Sequence, residues 1–207
     1  MLRKIDSHLL RRACLVVFIT FLGCAGRNYL IIDYQVPPAS NQLKGQVVRL
    51  QIEDRRQSES ILSNQAAEEF PQFGGMYSLA WILPDQQRIL AGEHQLKELL
   101  KTVFTKRLTD SGAVLTNDPN APAPVLTISL KKLTLDLREY KWETDLNYDA
   151  VLALPGHPTA RENVHGSAER VRLIGRKGAD TVLSDILTDV VNRLDLVKLF
   201  KNAELIQ

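Results

Sequence analysis

The stretch Val125–Leu137, VLTISLKKLTLDL, decides the fold predicted for this chain of 207 residues. Its leucines and isoleucine alternate with polar residues, as in a strand with one buried face. They stand at even positions before Lys131 and at odd positions after Lys132. Because an alternating pattern changes parity only where an extra residue is inserted, we predict a long strand with a β-bulge at Lys131–Lys132.

Further strands are predicted on both sides of this stretch. Trp142–Leu154 has the same alternation, and a turn after it returns the chain through Arg161–Ile174. Upstream, Gln46–Asp54 also alternates, and Met76–Leu83 has the length and aromatic content of a strand. Strands joined by short turns pair antiparallel, so we predict an antiparallel sheet of four or five strands with one solvated face.

Two stretches have apolar residues at helical spacing. Gln95–Ser111 repeats them every three or four residues, and Gly112 follows as a C-terminal cap. Gly178–Phe200 has a wider apolar stripe. The predicted fold is therefore a single α+β domain, in which the antiparallel sheet of four or five strands has two amphipathic helices packed on one face.

The beginning of the chain has the pattern of a secretory signal. Ala13–Cys24, ACLVVFITFLGC, directly follows Arg11 and Arg12 and is shorter than the about 20 residues that a membrane-spanning helix needs. Its end, Phe21–Cys24, resembles the lipobox of bacterial lipoproteins, with Phe21 where that box prefers leucine. The resemblance implies a signal peptide over residues 1–23, and diacylglycerol attached to the sulfur of Cys24.

The segments after the signal are assigned in order. Residues 24–44 are predicted to be the lipidated N-terminus and a tether, because Pro37 and Pro38 interrupt any sustained pattern. Within them, Tyr29–Tyr34 is a candidate short edge strand. Residues 45–207 are predicted to form the single periplasmic domain. Ala25 stands where, in enterobacterial-type sorting, an aspartate would retain a lipoprotein at the inner membrane, which implies the outer membrane.

Charge and cysteine content exclude several functions. The formal net charge of the chain is +2. The residues before Cys24 hold four of its 26 basic and one of its 24 acidic side chains, so 22 basic and 23 acidic side chains remain after them. A nucleic-acid-binding domain usually has a concentrated basic face, so we predict no nucleic-acid partner. The only cysteines are Cys14 and Cys24, which excludes a thiol nucleophile and a disulfide after Cys24.

The chain has none of the common catalytic or cofactor motifs. HExxH, GxSxG, a P-loop and GxGxxG are all absent, so we predict no enzyme activity, no metal site and no cofactor. The histidines beyond the signal are His94, His157 and His165. A hydrolase with a site assembled by folding is a third, weaker hypothesis, to be abandoned if no serine or aspartate lies within hydrogen-bond reach of one of them.

Two other features have alternative interpretations. Tyr77 and Trp81 fall on one side of the predicted strand Met76–Leu83, either as part of a hairpin with the first strand or as an exposed anchor for a partner protein. The cluster Glu53–Arg56 is either an anion-binding or docking corner, or a set of local ion pairs at a strand end.

The order of elements resembles the YajG-type family of outer-membrane lipoproteins. The residues that carry this resemblance are Leu22–Ala25, Gly45–Arg56, Leu96–Gly112, Val125–Leu137 and Gly178–Asp189. The resemblance implies the fold and the location but no activity. We therefore expect an adaptor or accessory subunit that binds another envelope protein and is held to the membrane by the lipid on Cys24. The alternative is a transport-accessory module that binds lipid or another small apolar ligand.

Overall fold

The structure is a computed structural model, and it describes residues 28–172 and 176–206. The predicted signal peptide, Cys24 and the first residues of the predicted tether lie outside the described residues. In chain order the elements are β1 (Tyr29–Gln35), β2 (Val47–Asp54), α1 (Asn64–Glu69), β3 (Met76–Ile82), β4 (Arg88–Gln95), α2 (Leu96–Asp110), β5 (Val114–Leu115), β6 (Val125–Arg138), β7 (Lys141–Ala153), β8 (Ala160–Val171), α3 (Lys177–Arg193) and α4 (Leu196–Asn202).

The strands form two mixed sheets, so the prediction of one antiparallel sheet is corrected. The first sheet has three strands in the order β1, β3, β4, and the second has five in the order β5, β2, β6, β7, β8. β1 pairs parallel with β3, and β2 pairs parallel with both β5 and β6. Parallel neighbours require a crossover, which the chain makes between β2 and β6 through β3, β4 and α2.

The predicted meander is confirmed. β6, β7 and β8 pair antiparallel, and the register between β6 and β7 shifts between Leu130 and Lys132, where the bulge was predicted. The pairing predicted for Met76–Leu83 is wrong, because β3 lies between β1 and β4 and does not contact β2 as a hairpin partner.

Both long helices pack on one face of the five-stranded sheet, as predicted. The ring of Phe104 on α2 meets Tyr148 on β7 edge to face, with 5.5 Å between ring centroids. The Tyr148 hydroxyl donates to the Val190 carbonyl of α3 at 3.0 Å. The helix predicted over Gly178–Phe200 is divided into α3 and α4, because the Asp195 carboxylate accepts from the Lys198 amide at 2.9 Å and caps a new helix.

β1 belongs to the folded body, which corrects the predicted tether. Its Leu30, Ile32 and Tyr34 side chains are buried in the core. Of residues 24–44, the segment Tyr29–Gln35 is thus a strand at the edge of the smaller sheet, as the candidate edge strand implied.

Polar side chains of α3 cover the free edge of β1. The amides of Ile31, Asp33 and Gln35 donate to side-chain oxygens of the helix at 2.9, 2.9 and 3.0 Å. The acceptors are Asp180, Ser184 and Thr188, and the Asn192 side chain donates to the Gln35 carbonyl at 3.0 Å. We call these four helix residues the α3 ladder. It joins the smaller sheet to the helix that covers the larger one.

Candidate functional site

The folded body begins close to the predicted lipidation site. Four residues separate Cys24 from Tyr29, the first residue of β1. A fully extended chain of this length spans about 18 Å at most. If Cys24 is acylated, the N-terminal end of β1 therefore lies within that distance of the membrane surface.

Tyr77 and Trp81 lie on one face of β3, as predicted, but this face points into the core. Tyr77 is only 2% exposed and its ring meets Phe73 edge to face, with 5.6 Å between centroids. Trp81 is partly buried and packs edge to face on Tyr34 at 5.8 Å. The prediction of an exposed aromatic pair is therefore wrong for Tyr77, because the face that carries the aromatic residues is the one that the core covers.

The exposed apolar residues near Trp81 lie on β4 instead. Ile89, the cross-strand neighbour of Trp81, is 41% exposed, and Leu90 is 68% exposed. Within the described residues β4 pairs only with β3, so its other edge is unpaired. We call Arg88–Gln95 with this free edge the β4 edge. Such an edge offers backbone donors and acceptors beside apolar side chains, which is how many proteins bind an added strand.

The outer face of the five-stranded sheet is polar and ion-paired. Lys131 bonds to Asp149 at 2.6 Å, and Lys132 bonds to Asp145 at 2.9 Å. The bonds from Lys131 and from the Asn163 amide lower the pKa of Asp149. An open groove of about 780 Å³ crosses this face between β8 and residues 58–63. Its charges are largely neutralised within the face, so it presents no strong field to a ligand.

The histidines do not assemble a hydrolytic site in the described part of the chain. His165 lies 3.2 Å from Asp145, but Asp145 also binds Lys132, and the histidine side chain is largely exposed. The ring of His94 contacts the Ala91 carbonyl at 3.1 Å, and His157 lies in the turn after β7. Among the described residues no serine hydroxyl bonds to any of these three rings, and the contact of His165 with Asp145 is the one that joins a histidine to a carboxylate.

Residues 28–172 and 176–206 contain no cluster of metal ligands and no membrane-spanning helix. Within these ranges no three histidine, cysteine or carboxylate side chains are grouped closely enough to hold a metal ion. None of the helices in these ranges has the length and apolar character needed to cross a bilayer.

The charged cluster at the end of β2 contains a buried arginine. Arg55 pairs with Glu53 at the surface, as local ion pairing implies. Arg56 binds both oxygens of Asp54 through Nε and Nη2 at 2.9 and 2.8 Å, and this lowers the pKa of Asp54. The Arg56 side chain is only 7% exposed, and its Nη1 has no hydrogen-bond partner among the described residues. A buried donor without a partner costs about 1–3 kcal/mol.

Arg56 lines a cleft of about 420 Å³ between the end of β2 and the three-stranded sheet, which we call the Arg56 cleft. Its apolar lining consists of Ile61, Phe73, Tyr77 and Leu96. Burial raises the pKa of Tyr77, and the nearby positive charge of Arg56 opposes this rise. The charged cluster was identified from the sequence. The alternation of apolar and polar residues ends with β2, however, so the sequence did not indicate that one of the two arginines is buried.

Comparison with known proteins shows a shared fold. No protein-family model and no curated protein matches the sequence. The crystal structure of a Xanthomonas campestris protein of the family model DUF330 superposes with a TM-score of 0.51 at 13% identity, over 84% of this chain and 93% of that chain. The α+β arrangement is thus one that a solved structure also has.

Two other solved structures are more distantly similar. The rare lipoprotein B from Shewanella oneidensis has a TM-score of 0.38 at 13% identity, over 70% of this chain and 89% of its own. A minor lipoprotein from Acinetobacter baumannii has a TM-score of 0.35 at 10% identity, over 79% and 96%. Similarity at this level does not assign a function, and the resemblance to the YajG-type family stays a prediction.

Proposed function

We propose that this protein is a non-enzymatic lipoprotein of the outer membrane, anchored through acylated Cys24, that acts as an adaptor or accessory subunit for another envelope protein. The observation that carries the adaptor role is the β4 edge, where Ile89 and Leu90 are exposed on a strand that has one edge unpaired within the described residues. An exposed apolar side chain on a free edge is a liability for a protein that works alone, and a partner strand would cover it.

Two other observations support this role. The described histidines lack a bound hydroxyl nucleophile, which favours binding over hydrolysis. The short spacer between Cys24 and β1 would keep the folded body within about 18 Å of the membrane, where other envelope proteins are also held. A partner would add its strand to β4 and pack an apolar side chain against Ile89 or Leu90.

Site-specific crosslinking in the native cells tests this proposal. A photoreactive amino acid is placed at Leu90, and a matched control is placed at Tyr140, which is 78% exposed at the tip between β6 and β7. We expect the Leu90 position to capture one envelope protein by mass spectrometry, and the Tyr140 position not to capture it. Capture of that protein only from Tyr140, or equally from both positions, would contradict docking at the β4 edge.

A further inference from the structure

We propose that the Arg56 cleft binds an amphiphile, with an anionic carboxylate or phosphate headgroup at Arg56 and an apolar chain along the lining of the cleft. This inference rests on a feature separate from the β4 edge. Only the source of the ligand, a lipid of the anchoring membrane, depends on the proposed acylation of Cys24.

The donor for the headgroup is the free side of a guanidinium that is already held in place. Asp54 fixes Nε and Nη2 of Arg56, so the side chain is oriented before any ligand arrives. Nη1 retains two N–H groups without a partner in the described residues, although the side chain is buried. Guanidinium donors of fixed geometry match the oxygens of carboxylate and phosphate groups.

The lining of the cleft is partly apolar, with Glu59, Ser60 and Gln95 as its polar part besides Arg56. Phe73 and Tyr77 form an aromatic wall, and Ile61 and Leu96 complete the apolar lining. Gly74 and Gly75 also line the cleft, and a Cβ atom at Gly74 would meet nothing within 4 Å. The volume of about 420 Å³ lies in the usual range for small-molecule sites.

The charges around the cleft are balanced before a ligand binds. Lys97, at the start of α2, is close enough to Asp54 to lower the pKa of its carboxyl group. Glu59 also lines the cleft, so the two acidic groups balance the charges of Arg56 and Lys97 before binding. We therefore expect recognition to depend on the hydrogen bonds from Arg56 more than on a broad positive field.

The position of the cleft in the fold points to a membrane lipid as the source. The amide of Gly74 lies 3.5 Å from the carbonyl of Asn28, its hydrogen-bond acceptor. Asn28 is the fourth residue after Cys24. With Cys24 acylated, the cleft would open beside the membrane that holds the anchor.

Photolabelling of the full-length acylated protein in phosphatidylcholine vesicles tests the inference. The probe is a fatty acid that carries a diazirine, and the competitors at equal concentration are dodecyl phosphate, inorganic phosphate and dodecanol. We expect labelling in the peptide that contains Phe73–Tyr77, and competition by dodecyl phosphate alone. Full competition by inorganic phosphate would reveal a site for small anions, equal competition by dodecanol would reveal a merely apolar cleft, and either result would overturn the proposal.

Three variants make the test specific to Arg56. Arg56→Gln should reduce labelling about tenfold, since a hydrogen bond to a charged group is lost. Arg55→Gln removes the same charge from a residue that is exposed and should change labelling less than about twofold. Gly74→Leu adds an apolar side chain to the lining of the cleft, where a Cβ meets no atom within 4 Å, and we expect it to reduce labelling. It is the second test if Arg56→Gln does not fold. Unchanged labelling in Gly74→Leu would refute the site, whereas crosslinking from Leu90 would be unaffected.

Discussion

The α3 ladder shows how single side chains can replace a neighbouring strand. Alternate amides of a strand point to the same edge and are spaced about 6.6 Å apart, while residues four apart on a helix rise about 6 Å. The two repeats nearly match, so side chains on one helix face can accept hydrogen bonds from alternate amides of β1. Ser184 and Asp180 are both buried beneath this contact.

Replacing Ser184 with alanine tests the ladder. The change leaves the Asp33 amide without its acceptor, and we expect the free energy of unfolding to fall by about 1–2 kcal/mol. Thr181→Ala is the matched control, because its hydroxyl bonds only within α3, to the Lys177 carbonyl, and the gain in helix propensity is similar. Urea unfolding followed by circular dichroism measures both, and equal stability of the two variants would show that the bond from the Asp33 amide to Ser184 contributes nothing.

At the scale of elements, α3 is tightly packed between two surfaces. Its ladder faces β1, and Ile186 and Val190 face β8 at Gly166. A Cβ built on Gly166 would lie 2.6 Å from Val190 Cγ2 and 2.9 Å from Ile186 Cδ1. The helix can approach the sheet this closely only because that position has no side chain.

We therefore expect Gly166→Ala to destabilise the protein. Overpacking costs about 1–3 kcal/mol, which exceeds the about 0.4–1 kcal/mol that alanine gains by restricting the unfolded chain. Ser167→Ala is the control, since this neighbour lies on the exposed outer face of β8. Urea unfolding of both variants gives the difference, and a Gly166→Ala protein as stable as the control would mean that α3 shifts at no cost.

Elements with a regular period could be predicted from the sequence, and the others could not. The bulge at Lys131–Lys132 was predictable because it changes the parity of a long alternation. β4 was not, because both of its faces are exposed around Ile89 and Leu90 and no alternation results. The break after Arg193 was also missed, since the apolar spacing continues into α4 and only Asp195 marks a new helix start.

The candidate sites were only partly visible in the sequence for a related reason. An alternating pattern shows that Tyr77 and Trp81 share a face, but not whether core or solvent covers that face. Parallel pairing of β1 with β3 decides it, and this pairing joins strands that are distant in the chain. The burial of Arg56 likewise depends on residues 58–61 and β3 closing around the end of β2.

At the scale of the whole molecule, two sheets share one hydrophobic core, and α3 joins them through its two faces. The features that this arrangement leaves uncovered within the described residues include the β4 edge and the Arg56 cleft. The cleft lies beside Asn28 at the N-terminal end of β1, and the β4 edge belongs to the same sheet. Both proposals therefore place the three-stranded sheet nearest to the anchor, available to a membrane lipid and to a partner protein.

The anchor itself is the central claim, and mass spectrometry of the mature N-terminus tests it most directly. The protein is purified from the membrane fraction of its native cells and digested, and its N-terminal peptide is sequenced. We expect a peptide that begins at Cys24 and carries diacylglycerol on the sulfur of that residue. An N-terminus that begins at another residue, or an unmodified Cys24, would contradict the account.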